Sequence, residues 1–279
     1  MTGSLLRAIR NPRRAAGKVW RLATRKVLPG FCIICGNENT FYHAGTNRRE
    51  SYQCHGCGSI SRNRQLAAVL YAAYGLDPLG PLEAILEVRP GLQVFEAQAR
   101  GPIHDVLKKL PGYVGAEFFP NVAPGKPGPG GVRSEDLEQL TFSADSFDLI
   151  ISQDVFEHVR QPAAAWAEIR RVLKPGGRHL FTIPFVADEP SRVRVRLNDG
   201  REDYLLPKVF HGDGIRDGLV VTDFGGDLIG HLDGLGLATE LFSAADLNLE
   251  PEQHRIYEGV VLISTKTLSP ENPPERELP

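Results

Sequence analysis

No stretch of the sequence reaches 18 consecutive apolar residues, so no segment is expected to cross a membrane as a helix. The first residues also lack the apolar core of a secretory leader, which removes the usual reason to expect an oxidising compartment. The expectation is a cytoplasmic protein, and in that setting its four cysteines are thiolate ligands rather than disulfide partners. Acidic residues are missing altogether from Met1 to Asn37, where Arg7, Arg10, Arg13, Arg14, Lys18, Arg21, Arg25 and Lys26 all fall. The net charge of −2 over 279 residues therefore hides a basic beginning and an acidic remainder. Against these absences, 42% hydrophobic and 24% charged residues make an ordinary globular composition, which excludes wholesale disorder.

The chain divides by local pattern. Residues 1–30 read as a basic helical arm, with Asn11-Pro12 suited to a helix start and Pro29-Gly30 to its end. Ala16, Val19, Trp20, Ala23 and Val27 recur between them at three- and four-residue steps. Residues 1–28 either face water, pack on the main domain, or rest peripherally on an anionic membrane surface or nucleic acid. Residues 31–60 hold the cysteines. Residues 61–91 are a helical linker, opening with a helix capped by Ser61 and stopped by Gly75. Residues 92–265 form the main domain, and the Pro/Glu-rich stretch 266–279 reads as a disordered tail.

Strand and helix patterns alternate from Leu92. Leu92–Ala97, Tyr113–Phe118, Phe147–Ser152 and His179–Ile183 read as strands, with helices over Ile103–Leu110 and Pro162–Leu173. The continuous apolar run Phe147–Ser152 is of the kind buried on both faces of a parallel sheet. This rhythm predicts a doubly wound α/β fold of the Rossmann-like type. Ala187–Gly218 breaks it and reads as a hairpin or lid. A helix near Asp227–Leu235 and strands near Thr239–Phe242 and Gly259–Ser264 complete the sheet.

All four cysteines sit in one pattern: Cys32-x-x-Cys35, eighteen residues, Cys54-x-x-Cys57. Each pair is a tight knuckle that turns two sulfurs toward one point. Two knuckles complete a tetrahedral four-sulfur shell, which suits a structural zinc ion. His43 and His55 are spare ligands nearby.

Ligands of an open parallel sheet bind beyond the carboxyl ends of its strands. The first strand ends at Glu96, and the second at Glu117, twenty-one residues on. That is the spacing at which a carboxylate meets ribose hydroxyls in dinucleotide folds. A third acidic pair, Glu135-Asp136, follows a Pro/Gly-rich loop.

The stretch from Leu140 through Ser146-Phe-Asp148 and Glu157-His158, then Glu168-x-x-Arg-Val-Leu-Lys-Pro-Gly-Gly177, resembles the class I S-adenosylmethionine-dependent methyltransferases of the methyltransferase-11 type. The phrases His211-Gly212 and Val221–Leu228 resemble a zinc-ribbon-bearing subset of that group. The resemblance implies cofactor contacts at Glu96 and Gly101 beside the methionine part. It implies Glu117 on the ribose, Phe118 against adenine, and Asp136 and Leu137 at the adenine edge. Gln153 and Asp154 would line the cofactor at the end of the fourth strand. His158 is the candidate general base, with His211 and Asp223 in reserve. Phe147 and Trp166 read as core. In the first loop, Gln98, Arg100 and Pro102 stand where the family carries glycines.

The resulting expectation is methyl transfer to an oxygen or nitrogen of a small-molecule, sugar or glycolipid acceptor. Two alternatives come with it. One is a nucleic-acid methyltransferase that docks RNA or DNA through the cysteine module and basic arm. The other is a non-catalytic binding module, motivated by the missing loop glycines.

Overall fold

The computed structural model describes residues 26–43, 47–77, 79–198, 201–212, 217–247 and 249–268. The arm upstream of residue 26 and the tail beyond residue 268 lie outside the described residues. No helix among the described residues is long and apolar enough to cross a membrane.

The chain opens with β1 (Lys26–Cys32), β2 (Asn37–His43) and β3 (Gln53–Cys54), an antiparallel sheet in that order. Pro29 and Gly30, expected to stop a helix, lie inside β1, which pairs with β2 from Lys26↔His43 to Cys32↔Asn37. An edge strand tolerates proline because the missing N–H faces away from the ladder. Gly30 is needed there for a second reason. A Cβ at this position would stand 2.4 Å from the Gln253 carbonyl oxygen, so the strand docks tightly on the C-terminal segment.

Helix α1 (Ser61–Tyr74) follows and ends at Gly75 in the left-handed conformation, as the glycine predicts. Its N-cap is Ile60 rather than Ser61. The Asn63 side chain accepts from the Ile60 N–H at 3.1 Å. Ser61 Oγ is instead engaged by a distant loop, donating to Tyr257 O at 3.0 Å and accepting from Tyr257 N at 2.7 Å. A short α2 (Ile85–Val88) lies in the linker.

The main domain runs β4 (Val94–Glu96), α3 (Pro102–Leu107), β5 (Tyr113–Glu117), β6 (Arg133–Ser134), β7 (Phe147–Gln153), α4 (Pro162–Val172) and β8 (Leu173–Thr182). Lys174–Gly177, expected to separate α4 from the next strand, is the irregular start of β8. Next come the short strands β9 (Phe185–Val186), β10 (Arg192–Val193), β11 (Val195–Asn198), β12 (Arg201–Tyr204), β13 (Phe210–Gly212), β14 (Asp217–Leu219) and β15 (Thr222–Gly225). The segment expected to form a hairpin or lid thus contains two hairpins, β11–β12 and β13–β14. Helix α5 (Asp227–Gly234), β16 (Leu237–Ser243), α6 (Pro251–His254) and β17 (Val260–Lys266) complete the fold.

Seven strands form the central sheet in the order β16-β17-β8-β7-β4-β5-β6. The run from β6 to β8 is parallel, and β17 enters antiparallel between β8 and β16. From β4 the chain winds one way to β5 and β6, then returns to β7 and β8 on the other side. This is the doubly wound Rossmann-like fold, with its topological switch point between β4 and β7.

Strand side chains alternate between faces. Leu149 and Ile151 join the core that holds α1 and α3, while Ile150 joins the core that holds α4 and α5. Cys32, Ile33, Phe41 and Cys54 belong to the first of these cores, beside Leu66, Leu70 and Ile103. The cysteine module therefore covers one face of the central sheet. Phe147 and Trp166 lie in the second core, and Trp166 stacks on Phe156 at 3.6 Å between ring centroids.

Candidate active site and cysteine cluster

Beyond the carboxyl ends of β4, β5 and β6 lies a cavity of about 200 Å³. Its walls include Phe95, Ala97, Ala116, Leu137, Val155 and Val159, and its polar groups include Glu117, Asp136 and His158. Phe118 stands at its edge and is 61% exposed, an aromatic face left open to a planar ligand. The fold thus brings together five residues singled out in the sequence: Glu117, Phe118, Asp136, Leu137 and His158. Arg100 of the first loop faces Glu117, with Nε 3.6 Å from Oε1. Asp136 accepts from the Glu138 N–H at 2.9 Å, which closes the turn presenting Leu137. Neighbouring Glu135 is structural: it is buried, pairs with Arg133 Nε at 2.6 Å and accepts from Thr141 N at 3.0 Å.

The other four expected cofactor contacts are not among the residues lining this cavity. Gly101 has φ +95° and forms the N-cap of α3, so the one glycine left in the loop serves the sharp turn. Glu96 is fully buried. It accepts from Tyr113 Oη at 2.8 Å, and Gln153 Nε2 approaches it at 3.5 Å. Burial pushes its carboxyl up to about 8. Gln153 in turn accepts from Asn63 Nδ2 of α1 at 2.8 Å.

Asp154, held at φ +51°, is clamped by Arg49 through two bonds of 2.6 and 2.7 Å. Arg62 Nε lies 3.3 Å away, and Thr182 Oγ1 donates at 3.0 Å. Burial pushes the Asp154 carboxyl upward, but the Arg49 bonds and the two guanidinium charges outweigh it and bring it down to about 2. Residues of the cysteine module and α1 thus occupy the crevice near the ends of β4 and β7. Sequence reading missed Arg49, Arg62 and Asn63. Their partners lie about a hundred positions away, and nothing local signals the pairing.

His158 follows β7 on a short 3₁₀ turn, Phe156–His158, that the Phe156–Trp166 stack anchors. Its Nδ1 is 2.9 Å from the Leu219 carbonyl oxygen. A carbonyl only accepts, so Nδ1 carries the proton and Nε2 of the neutral ring offers a lone pair. The reserve residue His211 lies close by, its Nδ1 3.9 Å from Glu157 Oε1. The Glu157 carboxylate raises the His211 pKa against the opposing effect of burial. Asp223, the other reserve, is engaged by Arg194 Nε at 2.7 Å.

The cysteines meet as their spacing predicts. Cys32 Sγ lies 3.7 Å from Cys57 Sγ, and Cys35 Sγ lies 4.0 Å from Cys54 Sγ. All four sulfurs fall within 4.8 Å of one another, with no disulfide among them. A tetrahedral zinc site with bonds of about 2.3 Å has sulfur–sulfur edges of roughly 3.8 Å, so the cluster fits that ion. Burial and then the neighbouring sulfurs push the Cys35 thiol up to about 12. Four thiolates at this spacing therefore need a cation between them. Arg64, fully buried behind the cluster, donates to the carbonyls of Tyr52, Ser59, His254 and Arg255 at 2.6–2.8 Å. His43 and His55 take no part in the cluster, and their rings pack on Tyr52 and Tyr42.

Residues 119–181 match the methyltransferase-11 family, described as a methyltransferase domain. The chain is similar to a dimethylglycine N-methyltransferase of Parasynechococcus marenigrum (strain WH8102), at 40% identity over 75 residues. That match covers 24% of this chain and 27% of the relative. It is also similar to a glycine/sarcosine/dimethylglycine N-methyltransferase of Actinopolyspora halophila, at 36% identity over 61 residues, covering 22% of this chain and 11% of the relative. The chain thus spans about a quarter or less of the length of these curated relatives. Among solved structures, an S-adenosylmethionine-dependent methyltransferase from Mesorhizobium loti is similar at 19% identity and a TM-score of 0.39, covering 63% of this chain and 90% of that one. Residues 119–181 thus resemble a methyltransferase domain.

Proposed function

We propose that the protein is an S-adenosylmethionine-dependent methyltransferase acting on a nitrogen or oxygen of a small-molecule or glycan acceptor. The observation that carries this reading is the convergence of Glu117, Asp136, Leu137 and Phe118 on one cavity at the carboxyl ends of β5 and β6. The Glu117 carboxylate is able to accept from both hydroxyls of a ribose, at the cost of loosening its contact with Arg100. Asp136 suits an exocyclic amino group, and the apolar wall of Phe95, Ala116 and Leu137 suits a purine face. The cofactor supplies a methyl group on a sulfonium, already a good leaving group. The task left to the chain is alignment, with a base where the acceptor carries a proton. His158 Nε2, at the cavity rim, is our candidate for that base. The names of the two curated relatives favour nitrogen over oxygen as the acceptor atom. We assign the four-cysteine cluster a structural zinc ion.

A second reading is favoured by one observation. The Arg49–Asp154 clamp and the buried Glu96 fill the half of the crevice where a methionine tail would lie. A methyltransferase fold retained for binding alone fits that arrangement.

Calorimetric titration with S-adenosylmethionine separates the two. A methyltransferase binds it, and Glu117→Ala or Asp136→Ala each weaken binding by about tenfold, the worth of one charge-assisted hydrogen bond. Wild-type protein that shows no heat at millimolar cofactor supports the binding module.

A further inference from the structure

Beside the cavity, Glu157, His158 and His211 bring three potential ligand atoms within 4.8 Å of one another. Glu157 is the unusual member. Its side chain is 2% exposed, yet neither carboxylate oxygen has a hydrogen-bond partner. A buried carboxylate without a hydrogen bond is costly, and native folds seldom leave one without a reason. Oε1 lies 3.8 Å from His158 Nε2 and 3.9 Å from His211 Nδ1. Those separations exceed a hydrogen bond. They are slightly wider than the edges of a first-row metal site, where bonds near 2.1 Å set neighbouring ligands about 3.0–3.4 Å apart. An ion would draw the three groups together by roughly half an ångström to one ångström.

The surrounding chain is built for this cluster. The Leu219 carbonyl fixes the His158 tautomer so that Nε2, the nitrogen nearer Glu157, carries the lone pair. Oriented imidazole ligands are held in this way in metal proteins. The β13–β14 hairpin sets His211 opposite Gly218. A Cβ on Gly218 would stand 2.8 Å from the His158 ring, so the glycine gives that ring its place. Other charges lie around the group: the Arg49 guanidinium feels the Glu157 carboxylate, and Asp154 and Asp223 both act on His211.

We propose that Glu157, His158 and His211 bind a divalent transition-metal ion at the rim of the cavity, separate from the four-cysteine site; because the ion takes the His158 Nε2 lone pair, metal binding and the general-base role proposed above exclude each other. Two neutral imidazoles and one carboxylate are a donor set for zinc, iron, cobalt or nickel rather than magnesium or calcium. Three protein ligands leave coordination positions for water or an oxygen donor. That such a donor belongs to the methyl acceptor rests on the function proposed above. The site itself does not.

The test is zinc content by mass spectrometry after equilibrium dialysis of the full chain against micromolar free zinc, for wild type, His211→Ala and Glu157→Gln. The expected result is one more zinc per chain in the wild type than in either variant, whatever the cysteines hold. His211 is exposed, so its removal leaves the fold intact. Equal zinc in wild type and His211→Ala overturns the proposal. Thermal unfolding gives a second readout. Glu157→Gln should abolish the zinc-induced rise in midpoint that the wild type shows. A zinc-induced rise that persists in Glu157→Gln also overturns the proposal. Neither measurement depends on methyl transfer.

Discussion

The carboxyl edge of the sheet has two unlike halves. Beyond β5 and β6, Glu117 and Asp136 face an open cavity. Near the ends of β4 and β7, Asp154 and Gln153 are held by Arg49 of the cysteine module and Asn63 of α1, and Glu96 by Tyr113 and Gln153 of the sheet itself. The two halves occupy equivalent places in the topology and carry similar polar residues. What separates them is a partner from distant sequence. A strand-end carboxylate opens on the cavity where no distant segment packs over it, as at Glu117, and is a structural anchor where one does, as at Asp154. The module thus anchors the sheet edge beside the cavity, and changes to it should reach that edge.

The largest expected effect breaks the occupied half at its root. Arg64 holds four backbone carbonyls of the module and the C-terminal segment from inside the core. Burial lowers its pKa to about 10, so it stays charged at neutral pH. Arg64→Met fills similar volume but strands those carbonyls. The expected cost is about 5 kcal/mol, at the upper end for removing one side of a buried charged network. Urea unfolding would measure it, and a loss below about 1 kcal/mol would mean the module is held by packing alone.

Glu96 gives the next effect, through pH. Its folded pKa is raised from 4.5 to about 8 by burial. The folded state therefore keeps a proton that the unfolded state releases. Stability is fullest below pH 4.5 and declines as pH rises toward 8, by about 3–4 kcal/mol across that window. Glu96→Gln should flatten this slope and raise the unfolding midpoint at pH 8. An unchanged slope would show that the carboxyl is ionised and paired.

The central sheet was legible because Phe147–Ser152, Pro162–Leu173 and the glycine at 75 carry local signals that packing leaves intact. The cysteine cluster was legible for the same reason, since each knuckle is a four-residue unit. Glu117 and Asp136 were found by spacing and resemblance. The occupant of the other half was not, because the Arg49–Asp154 and Asn63–Gln153 pairs span 105 and 90 positions. Ser61 misled as a cap because Tyr257, 196 positions away in sequence, claims its hydroxyl. Pro29-Gly30 misled because an edge strand docked on residues 253–255 tolerates both residues.

The smallest effect sharpens the comparison most, because it sets one carboxylate from each half side by side. Asp154→Asn removes the charge that Arg49 and Arg62 face. The folded pKa of Asp154, about 2 against an ordinary 3.8, contributes stability that is complete above pH 3.8 and lost as pH falls through 2. The substitution should therefore cost about 2 kcal/mol at pH 7, remove the steepest part of the acid limb, and change S-adenosylmethionine affinity by less than about threefold. Glu117→Ala should do the reverse, with about tenfold weaker binding and little change in stability. Paired thermal and calorimetric titrations of the two variants read both quantities. If Asp154→Asn instead abolished cofactor binding at unchanged stability, the clamp would have to open for the ligand, and the two halves would be one site in two states.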